Sequence, residues 1–241
     1  RINIEGNWYN QNGATFNARQ GEIVFDGNNT SNLYITDISA NKNLFYNLTI
    51  NKGAGQLKST NTNITVQNNL RVMNGILYNS QTMYVGNELT AVSGTFATTG
   101  TYYLNKPSGN SNLQLNGSVL YNLTINSGAT YILKDSLQMN GQFNLMAGTL
   151  DASNKLVRLG DYGEVHEISG ILKLGAGGVL QLPQYSTFKV NSGGEVWIIG
   201  DAYNVATVTQ YNGRYYFVVE NGGTIRTRNR SEERRVGKEC R

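Results

Sequence analysis

The sequence has two prolines, one cysteine and one histidine among 241 residues, and charged residues make up only 15% of it. No apolar run approaches the roughly 20 residues that a spanning helix needs, which excludes a membrane-inserted segment. The only cysteine is Cys240, so the rest of the chain forms neither a disulfide nor a thiolate metal site. A single histidine also excludes a zinc site built from several imidazoles. We therefore expect no metal and no cofactor.

Uncharged polar residues are abundant instead: Asn occurs 33 times and Gly 28 times. Both are poor helix formers, and the apolar residues lie in short runs that alternate with polar ones. In one such run Leu48 and Ile50 point to one side, while Asn47 and Thr49 point to the other. The composition predicts an all-β protein whose strands have one buried and one solvated face.

The last twelve residues, 230–241, resemble an in-frame translation of a common sequencing adapter. We expect them to be a non-native, unpacked tail and the natural chain to continue past Asn229. They carry five basic and three acidic groups, which leaves 15 basic and 13 acidic groups in residues 1–229. A body so close to neutral lacks the basic surface that nucleic-acid binding requires.

The sequence is internally repeated. The six residues Tyr46 to Asn51 return unchanged as Tyr121 to Asn126. Residues 73–77 return as the similar residues 146–150, at nearly the same offset along the chain. Within these blocks a small polar residue followed by Gly recurs at intervals of roughly 20 residues, with a few longer intervals, and this period is typical of one coil of a β-solenoid.

We therefore predict an all-β parallel β-helix of about ten coils over residues 1–229. Each coil buries its inward side chains against its own opposite wall and pairs with the coils above and below. Pro is rare because it cannot donate to this ladder. Asn is abundant because amides in left-handed bends of successive coils can stack into a hydrogen-bonded ladder. Near residues 205–220, Asn212-Gly213 between two apolar runs indicates either an antiparallel hairpin, which we favour, or another bend.

Five segments carry a family resemblance: Gly6 to Trp8, Gly13 to Ala18, Gly21 to Gly27, Tyr46 to Asn51 and Asn69 to Gly75. They resemble repeats of large secreted or surface-attached β-helix proteins of Bacteroidetes-type bacteria. The resemblance covers most of residues 4–180 and fades after Pro183. It implies a right-handed β-helix, an adhesin-like role and an extracellular or cell-surface location, with a sorting domain further along the full-length chain. It brings no motif of catalytic residues.

The densest group of titratable residues consists of Asp161, Glu164, His166 and Glu167. On a strand Glu164 and His166 share a face, where an acid/base pair or a metal site would need them. The alternation, however, places Val165 inward and both of them in solvent, without the cleft that perturbs carboxylates. We interpret this group as a solvated edge.

The sequence contains 15 tyrosines, whose rings can stack on sugars. We expect the most exposed ones, and hence the candidate carbohydrate contacts, to be Tyr102, Tyr103, Tyr211, Tyr215 and Tyr216. The alternative is that Tyr simply suits half-buried strands.

Two function classes follow. The first is a non-enzymatic structural or adhesive rod in a large exported bacterial surface protein, whose partners are neighbouring coils or domains and a polysaccharide or cell-surface partner. The second is a carbohydrate-binding or carbohydrate-cleaving β-helix, similar to a lyase or glycosidase. The aspartates are isolated, with no Asp-Asp or Asp-x-Asp pair, which favours the first class and predicts no enzyme activity.

Overall fold

The computed structural model describes residues 1–11, 14–35, 43–160, 162–211, 213–228 and 230–232. Within these ranges the regular structure is entirely β, and no helix has the length and apolar character needed to cross a membrane. The strands are β1 (Ile2–Ile4), β2 (Trp8–Asn10), β3 (Phe16–Asn17), β4 (Glu22–Phe25), β5 (Ser31–Ile35), β6 (Asn43–Phe45), β7 (Asn47–Ser59), β8 (Ile64–Val66), β9 (Leu70–Asn79), β10 (Thr82–Val85), β11 (Leu89–Ala91), β12 (Thr95–Thr98), β13 (Thr101–Leu104), β14 (Asn110–Gln114), β15 (Val119–Leu120), β16 (Asn122–Leu133), β17 (Leu137–Met139), β18 (Phe143–Ser153), β19 (Leu156–Arg158), β20 (Val165–Ile168), β21 (Ile171–Leu174), β22 (Val179–Pro183), β23 (Thr187–Val190), β24 (Glu195–Ile199), β25 (Ala206–Tyr211), β26 (Tyr216–Val219), β27 (Thr224–Arg228) and β28 (Arg230–Glu232).

The strands stack in three parallel columns, which we name faces 1, 2 and 3, and the chain visits the faces in that order. Face 1 holds β1, β4, the first parts of β7 and β9, β11, β14, the last parts of β16 and β18, β21, β24 and β27. Face 2 holds β2, β5, the last parts of β7 and β9, β12, β15, β17, β19, β22, β25 and β28. Face 3 holds β3, β6, β8, β10, β13, the first parts of β16 and β18, β20, β23 and β26. The predicted all-β parallel solenoid is therefore confirmed.

The register between strands gives the coil length. On face 1 Leu48 pairs with Leu70, Leu70 with Leu89, and Leu89 with Leu113. Each of these steps along the chain is one coil, and its length matches the glycine period of the sequence. The solenoid has about eight complete turns between β7 and β26, against the ten or so predicted over residues 1–229, and β1–β6 and β27–β28 extend the columns at its two ends.

The core is a continuous apolar column inside the coils. Stacked leucines make one of its rows, and all of them are at most 2% exposed: Leu48, Leu70, Leu89, Leu113 and Leu133. Fully burying a leucine side chain contributes about 1.5–3 kcal/mol. Each inward residue contacts the coils above and below, so the stability of each coil depends on its two neighbours.

The repeated block does not return to the same face. Leu48 pairs with Leu70 on face 1, whereas its repeat counterpart Leu123 pairs with Phe143 on face 3. Both leucines are fully buried, so the prediction that both point inward is confirmed. The two copies, however, are separated by about three and two-thirds turns, so that the second copy is rotated by one face.

What the two copies share is a corner. β7 and β9 both continue from face 1 to face 2, and β16 and β18 continue from face 3 to face 1, with register shifts at the bend. Gly75 and Gly148 occupy this bend with φ of 78° and 82°. A Cβ at Gly148 would lie 2.5 Å from the carbonyl oxygen of Ser127 in the coil below, which explains why the repeat keeps glycine here.

An asparagine ladder follows the corner between faces 3 and 1. Asn68 Nδ2 donates to Asn47 Oδ1 at 2.9 Å, and Asn87 Nδ2 donates to Asn68 Oδ1 at 3.0 Å. The predicted ladder is therefore confirmed. The predicted left-handed backbone is wrong for these residues, because Asn116 is the only described asparagine with positive φ and glycines make most of the left-handed bends.

Replacing Asn68 by alanine removes both ladder hydrogen bonds. The half-buried side-chain amides of Asn47 and Asn87 then each lose a partner. We expect Asn68→Ala to lower the free energy of unfolding by about 1–2 kcal/mol. Asn154→Ala is the matched control, because this asparagine is exposed in a turn and should change stability by less than about 0.5 kcal/mol. Urea unfolding followed by circular dichroism compares the two variants, and equal costs would contradict a structural role for the ladder.

The hairpin predicted near residues 205–220 is wrong. β25 pairs in parallel with β22 on face 2, and β26 pairs in parallel with β23 on face 3. Each apolar run therefore finds its partner in the coil below rather than in the other run, and Asn212 of the expected turn lies outside the described residues. In the tail, Arg230–Glu232 pairs as β28 with β25. The prediction that the tail is unpacked is therefore wrong for these three residues. Residues 233–241 lie outside the described residues.

Candidate carbohydrate-contact surface

Tyr102 is a core residue and not a surface contact. Its side chain is fully buried inside face 3, and its ring meets Phe96 edge-on at a centroid distance of 5.3 Å. Burial raises the pKa of the phenol, and the hydroxyl has no hydrogen-bond partner. The alternation in β13 explains the error: Tyr102 and Leu104 point inward together, so only Tyr103 points outward.

Tyr103 is half-buried on the outside of face 3. Its ring centroid lies 5.2 Å from that of Tyr84 in the coil below. Its hydroxyl accepts a hydrogen bond from Asn126 Nδ2 at 2.6 Å. Both contacts engage Tyr103 within the protein, so it is a weaker candidate for sugar contact than an open ring.

The three C-terminal candidates differ in exposure. Tyr211 and Tyr216 are 44% and 56% exposed, whereas Tyr215 is half-buried against the core. The guanidinium carbon of Arg158 lies 4.5 Å from the centroid of the Tyr211 ring, which covers one face of that ring. β25 ends at Tyr211 and β26 begins at Tyr216, and these two strands flank the corner between faces 2 and 3.

The same corner carries two tyrosines that the sequence prediction missed. Tyr162 and Tyr185 lie in the corresponding turns of the two preceding coils, and they are 69% and 42% exposed. Their ring centroids are 5.1 Å apart in an edge-on arrangement. Strand alternation cannot identify residues in turns. Tyr162 and Tyr185 are, however, one coil length apart in the sequence, and this spacing could have indicated that they lie at the same corner. We name Tyr162, Tyr185, Tyr211 and Tyr216 the tyrosine corner.

His166 points into the core, so the prediction that it lies on a solvated edge is wrong. It is fully buried, while Val165, predicted to point inward, is 41% exposed. Its Nδ1 accepts a hydrogen bond from the Phe143 N–H at 3.2 Å, and its Nε2 has no partner. Burial lowers its pKa to about 4. The buried Ile168, two residues later, explains why His166 points inward. If the strand were turned over, Ile168 would be exposed and Glu167 would be buried.

The carboxylates of this group do not join the histidine. Glu167 is exposed and lies 3.8 Å from Lys189, which also pairs with Glu220 at 2.8 Å. The hydrogen bond to Glu220 is the main cause that raises the pKa of Lys189. Glu164 is half-buried in a turn, and Asp161 lies outside the described residues. Over the ranges that the structure describes, no three His, Cys, Asp or Glu residues form a group that could hold a metal ion.

Comparison of the chain with protein-family models, with curated proteins and with solved structures finds no match. Its function is therefore inferred from the fold and the side chains described above.

Proposed function

We propose that this chain is a non-enzymatic structural or adhesive rod segment of a large exported bacterial surface protein. The observation that carries this proposal is the stack of coils. In the described residues parallel pairing joins each coil to the next on faces 1 and 3, and on face 2 everywhere except between β12 and β15, around one continuous apolar core. Such a stack transmits force along its axis through many backbone hydrogen bonds at once. It suits a spacer that holds other parts of a protein away from a cell.

The arrangement of the carboxylates supports a role without catalysis. Glu88 accepts from Arg71 and from the amide of Asn112, and Glu195 accepts from Arg226 and from the indole N–H of Trp197. The contacts of Arg226 and Trp197 lower the pKa of Glu195 and so favour its ionised form. Glycoside hydrolysis instead needs two carboxyl groups facing one bond, one of them protonated.

The tyrosine corner favours carbohydrate binding as a second function of the same rod. Its four rings occupy one corner in three successive coils, and all of them are exposed. A polysaccharide chain lying along the rod axis would meet rings repeated at the strand spacing of about 4.8 Å. Binding at each ring would be weak, and several rings in succession would strengthen it.

Retention of the protein on immobilised neutral polysaccharides, with parallel assays for reducing and unsaturated ends, tests both functions. We expect retention without release of either product. Tyr162→Ala with Tyr185→Ala should weaken retention about fivefold for each ring lost, since an aromatic contact contributes about 1 kcal/mol. Tyr203→Ala is the matched control, because Tyr203 is 94% exposed outside the corner and should retain normally.

Release of products that disappears in a Glu164→Gln, Glu167→Gln variant would overturn the non-enzymatic proposal. Equal retention of the Tyr203→Ala and the double tyrosine variants would reject the tyrosine corner as a binding surface. The rod function would stand in that second case.

A further inference from the structure

An open groove with a volume of about 510 Å³ lies on the outside of face 1. It crosses four successive coils, in which Arg71, Thr90, Gln114 and Lys134 form one outward row. The row spans three strand spacings of roughly 4.8 Å, or about 14 Å. The groove is separate from the tyrosine corner, which lies between faces 2 and 3.

One wall of the groove is held in place by hydrogen bonds. Arg71 Nη2 lies 3.1 Å from Glu88 Oε2, and Asn112 Nδ2 donates to Glu88 Oε1 at 2.7 Å. The charge of Arg71 is thereby balanced within the protein. Glu88 lines the groove, and each of its carboxylate oxygens has capacity to accept a further hydrogen bond from a hydroxyl group.

The other groups in the groove are unengaged. Over the part of the chain that the structure describes, neither the Lys134 ammonium nor the Gln114 side-chain amide has a hydrogen bond or ion pair. Met73 and Val92 add an apolar strip, with 37% and 48% of their surface exposed. One uncompensated positive charge therefore stands at one end of a groove that also offers amides, a carboxylate and aliphatic surface.

We propose that this groove binds an acidic saccharide, a short run of uronic acid units. A uronate carboxylate pairs with Lys134, sugar hydroxyls bond to Glu88, Asn112 and Gln114, and the C–H face of a ring packs on Met73 and Val92. Each of these contacts matches a group that the groove presents without rearrangement. The inference goes beyond the rod function and is independent of the tyrosine corner.

The fold disfavours a peptide at this position. β9, β11 and β14 are each paired with strands on both sides, so their backbone has no open edge to which an extended peptide could add. Recognition on this face depends on side chains alone. Their mixture of amides, one carboxylate and one ammonium fits hydroxyl-rich ligands with a negative charge.

Isothermal titration with a galacturonic acid tetramer and with a neutral galactose tetramer tests the proposal. We expect the acidic tetramer to bind at least tenfold more tightly than the neutral one, with affinity falling as salt is added. Lys134→Gln should weaken binding of the acidic tetramer about tenfold, because it removes the only uncompensated charge of the groove. Lys155→Gln, which removes the same charge from a turn outside the groove, should bind as the unmodified protein does.

Equal affinity for the two tetramers, no measurable binding of the acidic one, or equal affinities of the two lysine variants would each overturn the proposal. The Tyr162→Ala, Tyr185→Ala variant separates the two sites. It should bind the acidic tetramer normally even if it loses retention on neutral polysaccharides, so failure at one site is distinguishable from failure at the other.

Discussion

Truncating Leu48 or Leu123 to alanine is expected to lower the free energy of unfolding by about 2–5 kcal/mol. Both side chains are fully buried within the stacked core, and neighbouring coils hold the surrounding side chains so that a cavity cannot collapse freely. Because the two leucines occupy the same position in two copies of the corner, their costs should be similar although they lie on different faces. Equilibrium unfolding in urea measures both.

Thr49→Ala and Thr124→Ala are the matched controls, since each threonine follows one of these leucines on the outward side. Neither is as open as the sequence predicted, because Thr49 is 6% and Thr124 is 9% exposed. Thr49 Oγ1 also donates to Glu22 Oε1 at 2.7 Å, so its loss should cost about 1 kcal/mol. If the threonine variants were the less stable ones, the inward and outward sides would be assigned wrongly.

Acidification should destabilise the protein through His166 by about 3 kcal/mol between pH 7 and pH 4. Burial lowers the pKa of this side chain from 6.5 to about 4 in the folded state, whereas in the unfolded chain it stays near its ordinary value. The unfolded state therefore binds a proton more readily over this range. The stability that depends on a neutral His166 is fully present above pH 6.5. It falls as the pH drops towards 4 and is absent below that. Thermal or urea unfolding across this range gives the slope.

His166→Phe provides the control because phenylalanine fills the site without titrating. The variant loses the acceptor for the Phe143 N–H, so its stability at pH 7 is not the quantity of interest. The informative quantity is the difference between the two proteins in how the free energy of unfolding changes with pH. The contributions of the carboxylates are common to both proteins and cancel in this difference. Parallel curves between pH 6.5 and 4 would mean that His166 does not stay neutral and buried.

Periodicity accounts for how much of the fold could be predicted. The alternation in runs such as Leu48 to Ile50 identifies inward residues, and the glycine spacing gives the coil length, because both are local consequences of a closing coil. The face on which a segment lies is not local. It depends on the summed lengths of all preceding corners, so the rotation of the repeat between Leu48 and Leu123 could not be found without the structure.

The errors in the site residues have the same origin. In Val165 to Ile168 two apolar residues of opposite parity compete for the interior, and the sequence prediction followed the wrong one. Tyr102 and Tyr103 are adjacent, so only one of them can point outward. The groove at Lys134 could not be predicted at all, since it brings together side chains from four coils whose register is set by the whole stack.

The repeated segment bends the chain around one corner instead of closing a full turn, and copying it has a geometric consequence. Two different corners of the solenoid accept this segment, because the strands on each face alternate between inward and outward side chains. A duplication therefore need not match a whole number of turns. The outward residues of the two copies, such as Asn47 and Asn122, then point about a third of a revolution apart. A flat partner can engage one copy at a time, whereas a fibre that winds around the rod can reach both.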